Sequence, residues 1–310
     1  MSTRAPLVVF ALTLAACASV HELDDVARPA ERASSASLAI DEHGLYWVDA
    51  ARAAVVHAPL GGGPGVVLAS AHPSLYAPIA LGATDVVWGD RDAGHVRVMR
   101  APRDGGAAAI IAEGNGGPIG IGVGRGHVYF SRESDTFDLL EVDLTTAHER
   151  VIATNLPALG IVVDGGDLLV TRCANGGLAR IPMDGRVPTL IAPTYCPITL
   201  ALDGGDLFFT DYAVPTMPGA GGLGVFTVSA RGGVARRVTL SDGIVFAIHG
   251  GAVYTVLGGA IVRVTRDGAS STRIAAARDV RGIAVDDALV YWTEPSPDGT
   301  LELMFAPNGE

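Results

Sequence analysis

One phrase recurs seven times between Leu38 and Phe305: an apolar strand, a turn rich in Asp and Gly, a second strand centred on an aromatic or aliphatic pair, and a third strand. The middle residues of the seven second strands are Tyr46, Val87, Tyr129, Leu169, Phe208, Tyr254 and Tyr291. They lie 41, 42, 40, 39, 46 and 37 residues apart. A repeat of this length built from short strands is typical of propeller blades. The sequence therefore predicts an all-β chain that forms a single β-propeller, with seven four-stranded blades.

Blade four illustrates the plan of one repeat. Its inner strand is predicted over residues 159–163, its second over 168–171, its third over 178–182 and its outer strand over 189–192. A tight turn over 164–167 joins the first two strands, because Gly accepts positive φ and Asp hydrogen-bonds its own backbone nearby.

The last blade is expected to draw one strand from the other end of the sequence. Its third strand is predicted over 301–306, and no outer strand follows it. Residues 26–28 (Val-Ala-Arg) precede the first repeat and match the outer-strand phrase at 273–275 (Arg-Ile-Ala). We expect the N-terminal segment to complete this blade, since a closed ring has no exposed sheet edge.

The composition limits the possible functions. Of the 310 residues 49% are hydrophobic and 18% are charged, which leaves ample apolar surface for the interfaces between blades. The net charge is −11, and every one of the 22 cationic residues is Arg. A chain this acidic without a basic cluster is a poor nucleic-acid binder. Without lysine there is no Schiff base, no lysine general base and no P-loop lysine.

The N-terminal residues have the pattern of an export signal. Arg4 is followed by an apolar run over 6–13 and then by Leu14-Ala15-Ala16-Cys17. The apolar run is too short to span a bilayer, so a cleaved signal is expected. Small residues before a cysteine resemble the lipoprotein box of bacteria, while an ordinary secretory signal with a chance cysteine is the alternative.

The lipoprotein resemblance implies a lipid anchor at Cys17 and a location in the bacterial cell envelope. Two or more acyl chains on this cysteine would anchor the chain firmly, and the membrane would be contacted through the anchor only. Ala18 after the cysteine favours the outer membrane. The expected organisation is a signal peptide over 1–16, a tether over 17–25 and the β-propeller over 26–310.

The sequence gives little support for catalysis. Four carboxylates end first strands at equivalent positions: Asp41, Asp164, Asp203 and Asp286. They suggest either a metal ring or turn residues, and turn residues are favoured because each lies in a different blade at a turn that suits Asp. The eight His residues share no blade position, and the inner strands are apolar. We expect no catalytic residue, no metal site, no cofactor and no enzymatic activity.

One rim of the propeller collects the remaining candidate residues. Cys173 follows the second strand of blade four and Cys196 precedes blade five, so both lie on the same face and a disulfide is predicted. A two-cysteine metal site is the weaker alternative. An insertion over 212–222 lies on the same rim, either as a contact loop or as a tolerated surface loop. The predicted binding rim consists of Asp90, Arg132, Glu133, Arg172, Asp211, Tyr212, Met217 and Glu294. Mixed charge of this kind also suits an ordinary solvated surface.

The repeat itself resembles a known family. Residues 283–286 (Ile-Ala-Val-Asp) followed by 290–294 (Val-Tyr-Trp-Thr-Glu), and the copy at 38–49, are similar to the Tyr-Trp-Thr-Asp repeat of lipoprotein-receptor ectodomains and of bacterial envelope propellers of the TolB type. The receptor family closes with six blades. A six-bladed ring with an extra hairpin therefore stays open as an alternative to seven.

The functional expectation combines the anchor and the rim. The chain is expected to be a lipid-anchored, non-enzymatic module of the envelope that binds a protein or a small-molecule ligand through the rim. The alternative is an enzyme or small-molecule binder that acts at the mouth of the channel, such as a lactonase-like hydrolase. A purely structural role in the envelope is a third possibility.

Overall fold

The computed structural model describes most of the chain after the predicted signal and tether. The described ranges are 38–72, 78–92, 95–114, 118–132, 137–173, 176–213 and 222–309. Within them every regular element is a β-strand, and the strands form seven antiparallel sheets. The prediction of an all-β propeller with seven blades is confirmed.

The first three blades follow one another along the chain. Blade 1 consists of β1 (Leu38–Asp41), β2 (Gly44–Asp49), β3 (Ala54–Ala58) and β4 (Val66–Ser70). Blade 2 consists of β5 (Ile79–Leu81), β6 (Asp85–Asp92), β7 (His95–Pro102) and β8 (Ala109–Gly114). Blade 3 consists of β9 (Pro118–Gly124), β10 (His127–Arg132), β11 (Asp138–Asp143) and β12 (Glu149–Ala153).

The remaining four blades repeat the same order. Blade 4 consists of β13 (Ile161–Asp164), β14 (Asp167–Arg172), β15 (Gly177–Pro182) and β16 (Thr189–Ala192). Blade 5 consists of β17 (Leu200–Asp203), β18 (Asp206–Ala213), β19 (Gly222–Ser229) and β20 (Arg236–Leu240). Blade 6 consists of β21 (Phe246–His249), β22 (Ala252–Val256), β23 (Ala260–Thr265) and β24 (Ser271–Ala276). Blade 7 consists of β25 (Gly282–Val285), β26 (Leu289–Pro295) and β27 (Leu301–Pro307).

The inner strands of the blades form a closed ring. Each inner strand contacts the next one along the chain, and β25 returns to contact β1. Blade 7 has three strands within the described residues. The strand predicted at 26–28 lies outside them, so completion of blade 7 by the N-terminal segment stays a prediction.

The core lies between neighbouring blades and is built largely from the second strands. The largest buried side chains include Tyr46, Trp47, Trp88, Tyr129 and Tyr254, all on second strands. Alternate residues of a strand face opposite sides of the sheet, so each second strand packs against both adjacent blades. The aromatic pairs at the centre of the repeats are therefore core residues.

Blades 1 and 7 close the ring through both apolar packing and hydrogen bonds. Trp47 and Tyr291 belong to one buried cluster that spans the two blades. The backbone N–H of Leu301 donates to Asp49 Oδ2 over 2.9 Å, and the N–H of Gly61 donates to the Tyr291 hydroxyl over 2.9 Å. The inner strands β25 and β1 also contact each other, as the inner strands of consecutive blades do.

The four equivalent Asp residues act within the scaffold. Asp41 and Asp286 accept backbone N–H groups of their own turns, at 2.8 Å from His43 and 2.7 Å from Leu289. Asp164 and Asp203 form ion pairs with Arg180 and Arg266, respectively. Among the residues that the structure describes, no three His, Cys, Asp or Glu side chains are grouped so that they could hold a metal ion. The hydrogen bonds of Asp41 and Asp286 agree with the interpretation as turn residues.

Candidate functional site

The rim face carries the loops from second to third strands and from outer strands to the next blade. Cys173 follows β14 and Cys196 precedes β17, and the structure joins them in a disulfide. The predicted pairing is present. The bridge ties blade 4 to the loop that leads into blade 5.

Asp211 fixes the same loop from the end of β18. Its carboxylate accepts the backbone N–H groups of Tyr195 over 3.0 Å and Cys196 over 2.8 Å. Only 4% of Asp211 is exposed. Burial raises the pKa of this carboxyl, and the backbone hydrogen bonds oppose that shift. Asp211 therefore positions the rim from below its surface.

Two tyrosines flank this buried carboxylate at the surface. Tyr195 is 59% exposed and Tyr212 is 38% exposed. Partial burial raises the pKa of the Tyr212 hydroxyl. We call Cys173, Tyr195, Cys196, Asp211 and Tyr212 the disulfide rim. Exposed aromatic side chains on a backbone held by a disulfide and a buried acid are suited to binding, because little ordering is needed on contact.

The other predicted rim residues lie on other blades. Asp90 in blade 2 is buried and accepts a hydrogen bond from Arg97 over 2.8 Å. Arg132 in blade 3 pairs with Glu149 over 3.3 Å. Glu294 in blade 7 accepts the backbone N–H of Arg278 over 2.8 Å.

The structure brings together only part of the predicted set. Arg172, Asp211 and Tyr212 lie in the two blades that the disulfide joins. Glu133 and Met217 lie outside the described residues, as does most of the insertion over 212–222. Cys17 also lies outside them. No helix in the described part of the chain is long and apolar enough to cross a membrane.

Tyr195 is not among the residues predicted from the sequence. The residue stands in a short loop between Thr194 and Cys196. Its backbone N–H binds the acid near the end of a second strand, as those of His72 and Arg278 do, but its side chain type is not repeated at those two positions. Its exposure results from the hydrogen bonds between the loop backbone and Asp211, which a strand pattern does not reveal. The aromatic residue beside the predicted disulfide cysteine is the signal that could have pointed to it.

A second feature of the rim face is a cleft between blades 6 and 7. Its volume is about 530 Å³. Asp242, Arg278, Asp279 and Arg281 supply its charged side chains, and apolar residues at the entries to β21 and β25 supply much of the rest. The cleft is a junction of three loops from two blades, so no single stretch of sequence indicates it.

Comparisons with known proteins support the fold. No protein-family model matches the chain, and no curated protein matches its sequence. A chain of the nidogen/laminin complex is 19% identical with a TM-score of 0.52, over 62% of this chain and 74% of that one. TolB from Acinetobacter baumannii is 14% identical with a TM-score of 0.53, over 72% of this chain. The match spans 60% of the TolB chain.

A third similar structure is an enzyme. The gluconolactonase from Xanthomonas campestris is 16% identical with a TM-score of 0.50, over 72% of this chain and 82% of its own. At such low identities these similarities show the fold alone. The class that the fold defines is the β-propeller, and TolB and nidogen-type structures are among those it is similar to.

Proposed function

We propose that this chain is a lipid-anchored β-propeller of a bacterial envelope, without enzymatic activity, and that it binds a protein partner through the disulfide rim. The observation that supports the proposal is the pair of exposed tyrosines, Tyr195 and Tyr212, on a backbone fixed by a disulfide and by buried Asp211. Tyrosine is enriched among the residues that dominate binding energy at protein interfaces. The similarity to a structure of the nidogen/laminin complex, a protein assembly, agrees with this use of the fold.

The anchor part of the proposal depends on Cys17. Its lipobox-like context, Leu14-Ala15-Ala16-Cys17, supports lipidation and export. The similarity to TolB from Acinetobacter baumannii agrees with an envelope location. Replacing Cys17 by Ser in the native host should abolish metabolic labelling with a fatty acid and release the protein from the membrane fraction. An unchanged membrane fraction in the Cys17→Ser variant would overturn the anchor.

The binding part is tested by site-specific crosslinking in the native host. A photo-crosslinker at Tyr195 or Tyr212 should capture one discrete protein. The matched control site is Val187, which is 81% exposed on the opposite face of blade 4. With the captured protein purified, Tyr195→Ala and Tyr212→Ala should each weaken binding by about 10-fold or more, as expected for interface anchors. Equal capture at all three sites, or unchanged affinity in both variants, would reject the disulfide rim as the interface.

The alternative of a lactonase-like hydrolase is favoured by the gluconolactonase similarity. A hydrolase that used a metal would need a ligand set, and the described residues offer no group of three suitable side chains. Turnover of a lactone panel by the purified chain separates the two proposals. Hydrolysis that survives Tyr195→Ala and Tyr212→Ala would favour the enzyme.

A further inference from the structure

The cleft between blades 6 and 7 is a half-open groove lined by both charged and apolar side chains. Its volume of about 530 Å³ falls in the range of ligand pockets, roughly 300–1,000 Å³. It opens on the rim face, where the chain enters the inner strands β21 and β25. Its blades differ from those of the disulfide rim, so the two sites can be tested separately.

The charges of the cleft are balanced, and two of the four charged side chains pair with each other. The Arg281 guanidinium donates to Asp279 Oδ2 over 2.6 Å, and the Arg281 side chain is only 15% exposed. This ion pair is part of the wall. Asp279 holds it with a left-handed backbone, at φ = 47°.

One cationic and one anionic side chain of the cleft wall are available to a ligand. Arg278 is exposed, and its guanidinium has no hydrogen-bond or ion-pair partner among the residues that the structure describes. Asp242 is also exposed; its Oδ2 accepts a long hydrogen bond of 3.3 Å from the Gly259 N–H, while Oδ1 has no donor within the described ranges. The cleft therefore presents one acceptor for an ammonium group and one donor fork for a carboxylate.

The space around these two charges is apolar. Val245, Val256 and Ala277 are buried in the core cluster shared by blades 6 and 7, and Ile244 and Val280 pack against it. All five residues line the cleft. A ligand with two opposite charges and an aliphatic body would match both the polar and the apolar parts of the lining.

We propose that this cleft binds a zwitterionic ligand of amino-acid or dipeptide size that carries an aliphatic side chain. Arg278 binds its carboxylate, Asp242 binds its ammonium group, and the aliphatic side chain packs on Ile244 and Val280. A purely anionic ligand would meet the uncompensated carboxylate of Asp242, and a purely cationic ligand would meet Arg278. Charge complementarity thus selects the zwitterion.

The test uses calorimetric titration of the full chain with L-leucyl-L-leucine. Two blocked probes are compared with it: the N-acetyl form, which lacks the ammonium group, and the C-terminal amide, which lacks the carboxylate. The free dipeptide should bind saturably, and each blocked form should bind about 10-fold more weakly, since each loses one charge-assisted hydrogen-bonded contact. Arg278→Gln and Asp242→Asn should each weaken binding of the free dipeptide by about the same factor.

The pairing of groups is tested by crossing variants with probes. Arg278→Gln should not weaken binding of the amide further, because the amide already lacks the carboxylate that Arg278 binds. Asp242→Asn should not weaken binding of the N-acetyl form further, because that form already lacks the ammonium group that Asp242 binds. Arg231→Gln and Asp104→Asn, at exposed positions of blades 5 and 2, are the matched controls and should leave binding unchanged.

Three outcomes would overturn the proposal. They are the absence of saturable binding at millimolar dipeptide, equal affinities for the free and blocked probes, and a further loss of affinity of about 10-fold when Arg278→Gln is tested with the amide or Asp242→Asn with the N-acetyl form. Tyr195→Ala and Tyr212→Ala should leave dipeptide binding intact. Failure at the cleft therefore leaves the disulfide rim untouched, and the reverse is also true.

Discussion

At the scale of single residues, buried acids at the ends of second strands hold the rim loops. Asp49, Asp90 and Asp211 occupy equivalent positions, and each is at most 4% exposed. Each accepts at least one backbone N–H from a neighbouring loop or blade. Glu294 does the same in blade 7, where it accepts the N–H of Arg278. The repeated acid therefore binds backbone N–H groups of the loops. The residues beside it supply the side chains that are exposed to solvent.

Removing the Asp211 carboxylate should destabilise the disulfide rim. Asp211→Ala leaves the N–H groups of Tyr195 and Cys196 without their acceptor, and an unsatisfied buried donor costs about 1–3 kcal/mol. We expect the free energy of unfolding in urea to fall by about 2–4 kcal/mol. Asp104→Ala, at an exposed turn of blade 2, is the matched control and should change it by less than about 0.5 kcal/mol. Equal stabilities of the two variants would refute this role.

The raised pKa of Asp211 predicts a specific dependence of stability on pH. The folded state keeps the proton to a higher pH than the unfolded state, so the group's stabilising contribution is complete below the ordinary Asp pKa of 3.8. It is lost as the pH rises through the raised value. The free energy of unfolding of the wild type, minus that of Asp211→Asn, should therefore decrease between pH 3.8 and neutral pH. A difference that increases with pH would show that the carboxylate is stabilised as an anion instead.

At the scale of strands and loops, a threonine hydroxyl group determines where the inner strand of blade 4 begins. The inner strand of blade 4 was predicted from residue 159, whereas β13 begins at Ile161. The N–H groups of Leu159 and Gly160 donate to Thr171 Oγ1 over 3.1 and 2.8 Å, so they are not available to a strand ladder. Ser131 of β10 in blade 3 binds the same entry from the preceding blade, because its Oγ accepts the Ala158 N–H over 3.1 Å.

Replacing this hydroxyl should loosen the entry to blade 4. Thr171→Val keeps the shape of the side chain but leaves one buried and one partly buried N–H group without an acceptor. The expected loss is about 2–4 kcal/mol in the free energy of unfolding, measured in urea. Thr189→Val, at an exposed position of the outer strand β16, is the matched control and should be close to neutral. Hydrogen exchange at Leu159 and Gly160 should accelerate in Thr171→Val only; unchanged protection there would contradict the assignment.

The strands were predictable from the sequence because the blades repeat. The site was harder to predict because its residues do not recur from blade to blade. The spacing of the second-strand pairs gave the number of blades, and the placement of Cys173 and Cys196 on one face gave the disulfide. Burial of Asp90 and Asp211 could not be foreseen, because it depends on which loop folds over each strand end. The cleft between blades 6 and 7 has the same origin, since its walls come from loops that are distant in sequence.

At the scale of the whole molecule, stability depends on the one interface that the chain does not connect through a local loop. Blade 7 meets blade 1 through the cluster that contains Trp47 and Tyr291. Gly62, at φ = +87°, packs so closely on Phe305 that a Cβ there would lie 2.3 Å from the Phe305 Cε1 atom. The ring of seven blades is closed only if blades 1 and 7 stay in contact. A substitution that weakens this interface should therefore destabilise the entire fold.

The Asp49 carboxylate offers the sharpest test of that dependence. It is fully buried and accepts the N–H of Leu301 in blade 7 over 2.9 Å as well as the N–H of Arg52 over 3.1 Å. Asp49→Ala should lower the free energy of unfolding by about 2–4 kcal/mol, since two N–H groups lose their acceptor. If the ring unfolds as one unit, the urea midpoint falls while the m-value stays constant, because the same surface is exposed in one step. Asp104→Ala, in the exposed β7–β8 turn of blade 2, is the control. A second transition or a reduced m-value in Asp49→Ala would mean that blades 1 and 7 separate before the rest, and that closure is a local property and not one of the whole propeller.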